Sequence, residues 1–477
     1  MKSRAYPLLA ASSLACLALA AAGTRPRYGG SLRVEIAARP STLELADGRG
    51  VADTVAALRL RELIYDRLVR LDAEGRPAPA LAVAWDHDET AAKWRFKLRT
   101  GIKWHDGMPL APSEVESSLK GLGAASVRVT EENTLEIDAG RSSPGLLMRL
   151  ATAPDLTICP SDPAHPHPAA TGHVQNGLVG TGPFRLTDWE PGQRAVLEAN
   201  EDYWDGRPYL DSIEVQMGRA SRDALLDLEL GKADVVELDP AEARRAQQED
   251  KKVWISAPVE LLCLRFRAGD PSVQDRRVRQ ALADSIDRAA IQKVLLQSYG
   301  NAAGSIFPQW LSGYAFLLPA AMNLDRARGM VAALGPAPQL KLGYGEGDTL
   351  ARETAERVAV NVRDAGITLA AAPYASGAGP QAAAGFDVTV QRVRIDGPAL
   401  GVAVRQAEAS LGFPAGEESG QPEPTYAAER QFIESLTAIP LVHVPDLVGL
   451  SPRVLNWSAT AWDAWRLERA SLGGEKP

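Results

Sequence analysis

Between Lys93 and Arg99 the chain alternates strictly. Trp94, Phe96 and Leu98 are interleaved with Lys93, Arg95, Lys97 and Arg99, the two-residue period of a half-buried strand. Thr100-Gly101 turns that strand, Ile102 and Trp104 restart the alternation, and His105-Asp106-Gly107 turns it again. Ser113 with Glu116 three residues later reads as a capping box opening a short helix towards Leu122. Further on, Phe184, Leu186 and Trp189, the turn Glu190-Pro191-Gly192, and Ala195 to Leu197 predict a hairpin. Ile213-Glu214-Val215 predicts another strand, Ser221 to Leu230 a helix that Gly231 ends, and Asp234-Val235-Val236 a buried strand.

The longest helical pattern runs from Asp275 to Leu296, with Val278, Leu282, Ile286, Ile291 and Leu295 at helical spacing. Helices over Asp325 to Leu334 and Leu350 to Asp364 flank a strand at Leu340 to Tyr344, and Ile367 to Ala371 resumes as a strand after Gly366. Pro160 to Pro168 and Gly412 to Pro424, rich in proline and glycine, read as loops. Alternating strands and helices with short breaks indicate α/β architecture.

Before the first strand, Lys2 and Arg4 precede the uncharged stretch Ala5 to Gly23, which ends in Ala20-Ala21-Ala22. That order reads as a signal peptide over residues 1–22 and an exported product, soluble outside the cytoplasm. Anchoring through Cys16 or an uncleaved start is the alternative. The 477 residues amount to about three domains, and a hydrophobic share of 45% supplies ordinary cores. A net charge of −8 without a basic run argues against nucleic acid as a partner. Cys159 and Cys263 are far apart in sequence; two free thiols are preferred to a disulfide, and no Cys-x-x-Cys signals a redox or zinc site.

Several ordered motifs carry a resemblance. They are Tyr28 to Val34, Ile64-Tyr65-Asp66-Arg67-Leu68-Val69, Phe96 to Arg99 with Trp104 to Gly107, Gly180-Thr181-Gly182-Pro183-Phe184, Asp202-Tyr203-Trp204, Arg277 to Leu282 with Ile286-Asp287-Arg288, and Ile439 to His443. Over roughly Tyr28 to Leu472 the chain resembles the family 5 extracellular solute-binding proteins, the periplasmic peptide- and nickel-type substrate-binding proteins of ABC transporters. The resemblance implies a two-lobed α/β binding-protein fold (type II, cluster C-like) with an inserted domain. Lobe I is expected over 28–62, 178–260 and 440–477, inserted domain II over 63–177, and lobe III over 261–439. Hinge strands are expected near Val259 to Phe266 and Thr437 to Val444. The implied activity is reversible capture of a peptide or peptide-like solute between the lobes and its delivery to an ABC permease. The protein is expected to act as a monomer, without cofactor, metal or catalysis.

The family usually carries a Trp- and Asp-containing stretch and an Asn-rich segment after a strand like Phe386 to Val390. Here the equivalent is Arg392 to Pro398 and the Asn-rich segment is shortened or lost. Asp396 is the candidate for a ligand ammonium, because a buried ammonium needs a partner. Arg392 and Arg394 are candidates for a ligand carboxylate. Trp310 and Tyr314 offer aromatic faces, and Thr42 and Leu43 could line the lobe I side. His105-Asp106-Gly107 reads as a structural turn, and His165, His167 and His173 as surface residues of a proline-rich loop rather than metal ligands. Nickel chelates and oligosaccharides are alternative cargo. A sensor or scaffold that has lost transport is the competing function, favoured by the shortened segment. No nucleophile elbow or phosphate loop supports an enzyme.

Overall fold

The alternation at Lys93–Leu98 is realised as a strand whose tryptophan, phenylalanine and leucine are buried and whose lysines and arginine are exposed. It lies inside a four-stranded antiparallel sheet with Ala82–His87, Thr134–Asp138 and Ser126–Thr130. This is a computed structural model describing residues 26–43, 51–130, 133–160, 178–314, 317–375, 382–395, 397, 399–414, 421–460 and 465–473.

The large sheet has eleven strands. In chain order they are β1 (Ser31–Glu35), β2 (Phe184–Glu190), β3 (Arg194–Ala199), β4 (Ser212–Gln216), β5 (Val235–Glu237), β6 (Lys252–Phe266), β7 (Asn301–Ala302), β8 (Gln339–Gly345), β9 (Thr368–Tyr374), β10 (Val388–Arg394) and β11 (Ala438–Leu450). Across the sheet the order is β9-β8-β10-β6-β11-β5-β1-β4-β3-β2, with β7 on β11. The long strands β6 and β11 pair antiparallel from Lys252–Leu450 to Arg265–Ala438, with register shifts around Pro258 and Leu262/Cys263. One end of this pair meets β5 and the other meets β10. Two hydrophobic cores form on either side of it, one holding Leu32, Phe184 and Ile213, the other Leu261, Leu282 and Val358. A third core, around Trp94, Phe96 and Trp104, lies over residues 68–158. No helix among the described residues is long and apolar enough to cross a membrane.

Three of the sequence motifs meet at one buried carboxylate. Asp66 accepts hydrogen bonds from Thr181 Oγ1 (3.0 Å), Trp204 Nε1 (2.9 Å) and Tyr203 OH (3.2 Å). Burial pushes its carboxyl up to about 6, against the opposing pull of those donors. Gly180 explains why this junction needs glycine: a Cβ there would fall 1.9 Å from the Ile64 carbonyl oxygen. His105 completes the joint. Its Nδ1 accepts from Gly180 N (3.2 Å), and its Nε2 lies 3.0 Å from the Gly182 carbonyl. A carbonyl only accepts, so Nε2 carries the proton. The turn histidine is a bolt between chain segments, and burial draws its pKa down to about 4.

Several elements differ from their expected form. The short helix is Pro112–Ser118, capped at Ala111, whose N–H donates 2.7 Å to Glu114. Proline's preference for the first helical position sets that start two residues from the expected one. The long helix breaks: Asp275 caps Arg276–Ser285, Ile286 is extended, and Asp287 accepts from Ala290 N to cap a new turn. The aspartate's tendency to bond local backbone overrides the apolar periodicity. Ile102–Trp104 makes only an isolated bridge, Lys103 with Pro109. Pro422 and Pro424, expected in a loop, open the helix Pro422–Ser435. A helix over Leu400–Leu411, buried along Ala403, Val404 and Ala407, stands where a shortened segment was expected. Cys159 and Cys263 are both free thiols.

Candidate functional site

The pairing of β6, β10 and β11 carries charged residues into otherwise apolar strands. Glu260 on β6 is opposite Arg394 on β10 and Val444 on β11. Arg392 and Arg394, expected after a strand, lie at its end, because β10 extends beyond Val390. Arg392 binds Glu260 through Nε and, at 3.1 Å, through Nη2, and reaches Asp348 at 3.4 Å. Burial alone would lower its pKa, but the two carboxylates outweigh this and hold it raised. Glu260 is almost fully buried, so the pair is a desolvated one.

Arg394 grips Asp446 bidentately, at 3.0 and 2.7 Å. The same carboxylate accepts from Arg59 Nη2 at 2.8 Å. Arg59 comes from α1 (Val51–Ile64), pairs also with Glu237 beyond β5's buried valines, and lies 4.5 Å over the Trp465 ring. Asp446 is held in turn by its own N–H, which donates 2.8 Å to Ser256 Oγ. Residues from both sides of the β6–β11 crossing thus converge on one carboxylate. Such charge-assisted, bidentate contacts combine strength with fixed orientation.

The remaining candidates are distributed unevenly. Trp310 reaches the crossing, where its Nε1 donates 2.8 Å to the Pro258 carbonyl, and it is 37% exposed. Tyr314 is turned inward: its hydroxyl donates 2.6 Å to Glu429, and its ring meets Tyr426 edge-on at 4.9 Å. Burial pushes the Glu429 carboxyl up to about 7, against donation from Tyr314, Phe307 and Ile306. Thr42 is half-buried, whereas the Leu43 side chain lies in the core and its carbonyl accepts 3.0 Å from Arg61. Asp396, Cys16, residues 1–22 and the histidines at 165, 167 and 173 lie outside the described residues. Among the described residues, no group of three or more histidine, cysteine or acidic side chains is placed to hold a metal. Sequence reading missed Arg59, Glu237, Glu260, Asp348 and Asp446. Glu260 and Asp446 had a usable signal, since each is a charged residue inside an apolar run, where burial demands a partner.

A mixed sheet continued through two cores by a pair of long strands, with charged groups from both sides at the crossing, defines a two-lobed α/β protein of the type II periplasmic binding-protein fold. Solved structures agree. The fold matches DppA from Helicobacter pylori in complex with the peptide STSA (TM-score 0.79, 19% identity, 94% of this chain and 98% of that one). It also matches NikA from Brucella suis in complex with Fe(III)-EDTA (TM-score 0.76, 18% identity, 93% and 100%).

The profile described as "Bacterial extracellular solute-binding proteins, family 5 Middle" matches residues 76–399, and the chain belongs to that family. It is similar to the oligopeptide-binding protein AppA of Bacillus subtilis (24% identity, 58% of this chain, 54% of that protein). Protein XP55 of Streptomyces lividans (24%, 71% and 65%) and the nickel-binding periplasmic protein of Escherichia coli (22%, 64% and 65%) are also similar. The chain matches about half to two thirds of the length of these curated relatives.

Proposed function

We propose that the protein captures a small solute between its lobes, outside the cytoplasm, and hands it to an ABC permease, without catalysing a reaction. The observation that carries this reading is the convergence of Arg59, Arg394 and Asp446 at the crossing of β6 and β11. Strands shared by two lobes let them hinge around a ligand, and charged groups of both lobes at that hinge give closure something to recognise.

A peptide or peptide-like solute fits best. Three guanidiniums (Arg59, Arg392, Arg394) face four carboxylates (Glu237, Glu260, Asp348, Asp446) in the described cluster. That balance favours a solute that brings a positive charge, such as a free peptide amino group. Asp396 remains the proposed direct partner of that ammonium, and Trp310 the aromatic face beside it. Arg392 and Arg394 bind a ligand carboxylate only by sharing or exchanging their present partners. A relative named for nickel binding makes metal chelates a necessary arm of any screen, and oligosaccharides stay in it as the other alternative cargo.

Thermal-shift screening against short peptides, N-acetylated peptides, metal chelates and oligosaccharides tests the reading. A ligand at 100 times its Kd stabilises by about 2.7 kcal/mol. Free-amino peptides should raise Tm and their acetylated counterparts should not. Silence across every arm would favour the scaffold reading.

A further inference from the structure

On the other face of the crossing is a polar cavity of about 290 Å³, lined by Gln292, Asn301, Ser305, Gln309 and His443 among others. His443 on β11 pairs with Leu261, while the neighbouring Val444 pairs with Glu260. Successive side chains of a strand point to opposite faces, so the imidazole is on the opposite side of the sheet from Glu260 and its arginine. The cavity is therefore separate from the charged cluster.

Its wall is built rather than incidental. Glu429, fully buried, accepts the N–H groups of both Ile306 and Phe307 from behind. Ser305 Oγ donates 3.0 Å to the Phe307 carbonyl, and the His443 Nε2 lies 3.0 Å from the Ile306 carbonyl. These bonds fix the 305–307 segment and the imidazole together, the support a binding wall needs. His443 is 4% exposed. Because Nε2 faces a carbonyl it carries the proton, leaving Nδ1 as an acceptor without a bonding partner among the described residues.

The chemistry of the lining is uncharged. Gln292 donates through Nε2 to the Ser298 and Gly300 carbonyls, at 3.0 and 3.3 Å, which orients its amide and leaves Oε1 as an acceptor. The side-chain amides of Asn301 and Gln309 make no hydrogen bond to the described residues, so each offers a donor and an acceptor. Amides paired with a neutral imidazole match hydroxyl groups, which also donate and accept. At liquid water's ~30 Å³ per molecule, the volume admits roughly ten non-hydrogen atoms.

We propose that this cavity is a second binding site, for one small uncharged polyhydroxylated molecule of monosaccharide or cyclitol size. The site flanks the hinge. Tyr299 OH donates 2.7 Å to Gln247 across the lobes, and Trp310 holds the Pro258 carbonyl of β6. A molecule bound there touches β11 itself and favours the lobe arrangement in which the wall is intact.

Calorimetric titration of the intact protein with D-glucose and with myo-inositol tests the proposal. At least one should bind saturably at one molecule per chain. Asn301→Leu and Gln309→Leu, both at exposed positions, should each weaken that affinity about tenfold, one lost amide contact of ~1.4 kcal/mol. Absence of saturable binding by both probes overturns the proposal. So does binding that both variants leave unchanged, which would place the sugar elsewhere, including between the lobes. The peptide reading stands or falls separately on its own screen.

Discussion

Glu429 and Asp66 are buried carboxylates, and both hold their protons more tightly than in the unfolded chain. Glu429 rises from 4.5 to about 7 and Asp66 from 3.8 to about 6. The sign follows from linkage. A carboxyl with a raised folded pKa stabilises fully below its unfolded pKa, and that contribution is lost as pH rises through the folded value. Stability contributed by Glu429 should therefore fall between pH ~4.5 and ~7, on the order of 3 kcal/mol at ~1.4 kcal/mol per pKa unit. Denaturant unfolding of Glu429→Gln across that range should show a flatter profile than the natural chain; superimposable profiles would contradict the assignment. Asp66→Ala leaves the buried Thr181 and the half-buried Tyr203 and Trp204 donors without their acceptor, at up to about 1–3 kcal/mol for each unsatisfied group. A drop in Tm of several degrees, read by calorimetry, is expected, and no drop would show that water replaces the carboxylate.

Among the elements, the Gly180-Thr181-Gly182 turn and the β6–β10–β11 pairing set the geometry. Gly180→Ala drives a methyl into the Ile64 carbonyl at 1.9 Å. Backbone on backbone cannot yield cheaply, so a loss of about 3 kcal/mol or more is expected, seen as a lowered unfolding midpoint. At the crossing, among the described residues, Asp446→Ala strips a partner from both Arg59 and Arg394, whereas Arg394→Ala strips one from Asp446. The aspartate variant should be the less stable of the two, and a double-mutant cycle should give a coupling of about 1–3 kcal/mol. Additive effects would mean the pair contributes nothing by being together. Strands such as Lys93–Leu98 were legible because alternation and burial agree over six residues. The helix from Asp275 was not, since its apolar period continues through a break made by Ile286 and Asp287. The pattern reports which side chains are buried; the cap decides where the backbone stops.

For the whole molecule, the family and the two-lobed fold were readable because each motif is a short run of distinctive residues, even where the joint it makes is long-range. Asp66, His105 and the glycines are close in kind to what a sequence displays. The candidate site was less legible. Arg392 and Arg394 were identified, but their partners Glu260 and Asp446 lie 132 and 52 residues away. Only the sheet order brings them together. Tyr314 looked like a ligand face and instead packs against Glu429, because a hydroxyl's choice between ligand and carboxylate is made by tertiary structure. Between β10 and Pro422, where the Asn-rich segment was expected to be shortened or lost, the chain forms a helix over Leu400–Leu411 with Ala403, Val404 and Ala407 buried.

The most direct measurement is a crystal structure with the compound that most raises Tm in the screen. Ligand density is expected between the lobes, bounded by Arg394, Asp446, Trp310 and α1, with a ligand ammonium within hydrogen-bond distance of a carboxylate. A stoichiometrically bound compound whose density lies outside that space would contradict the account.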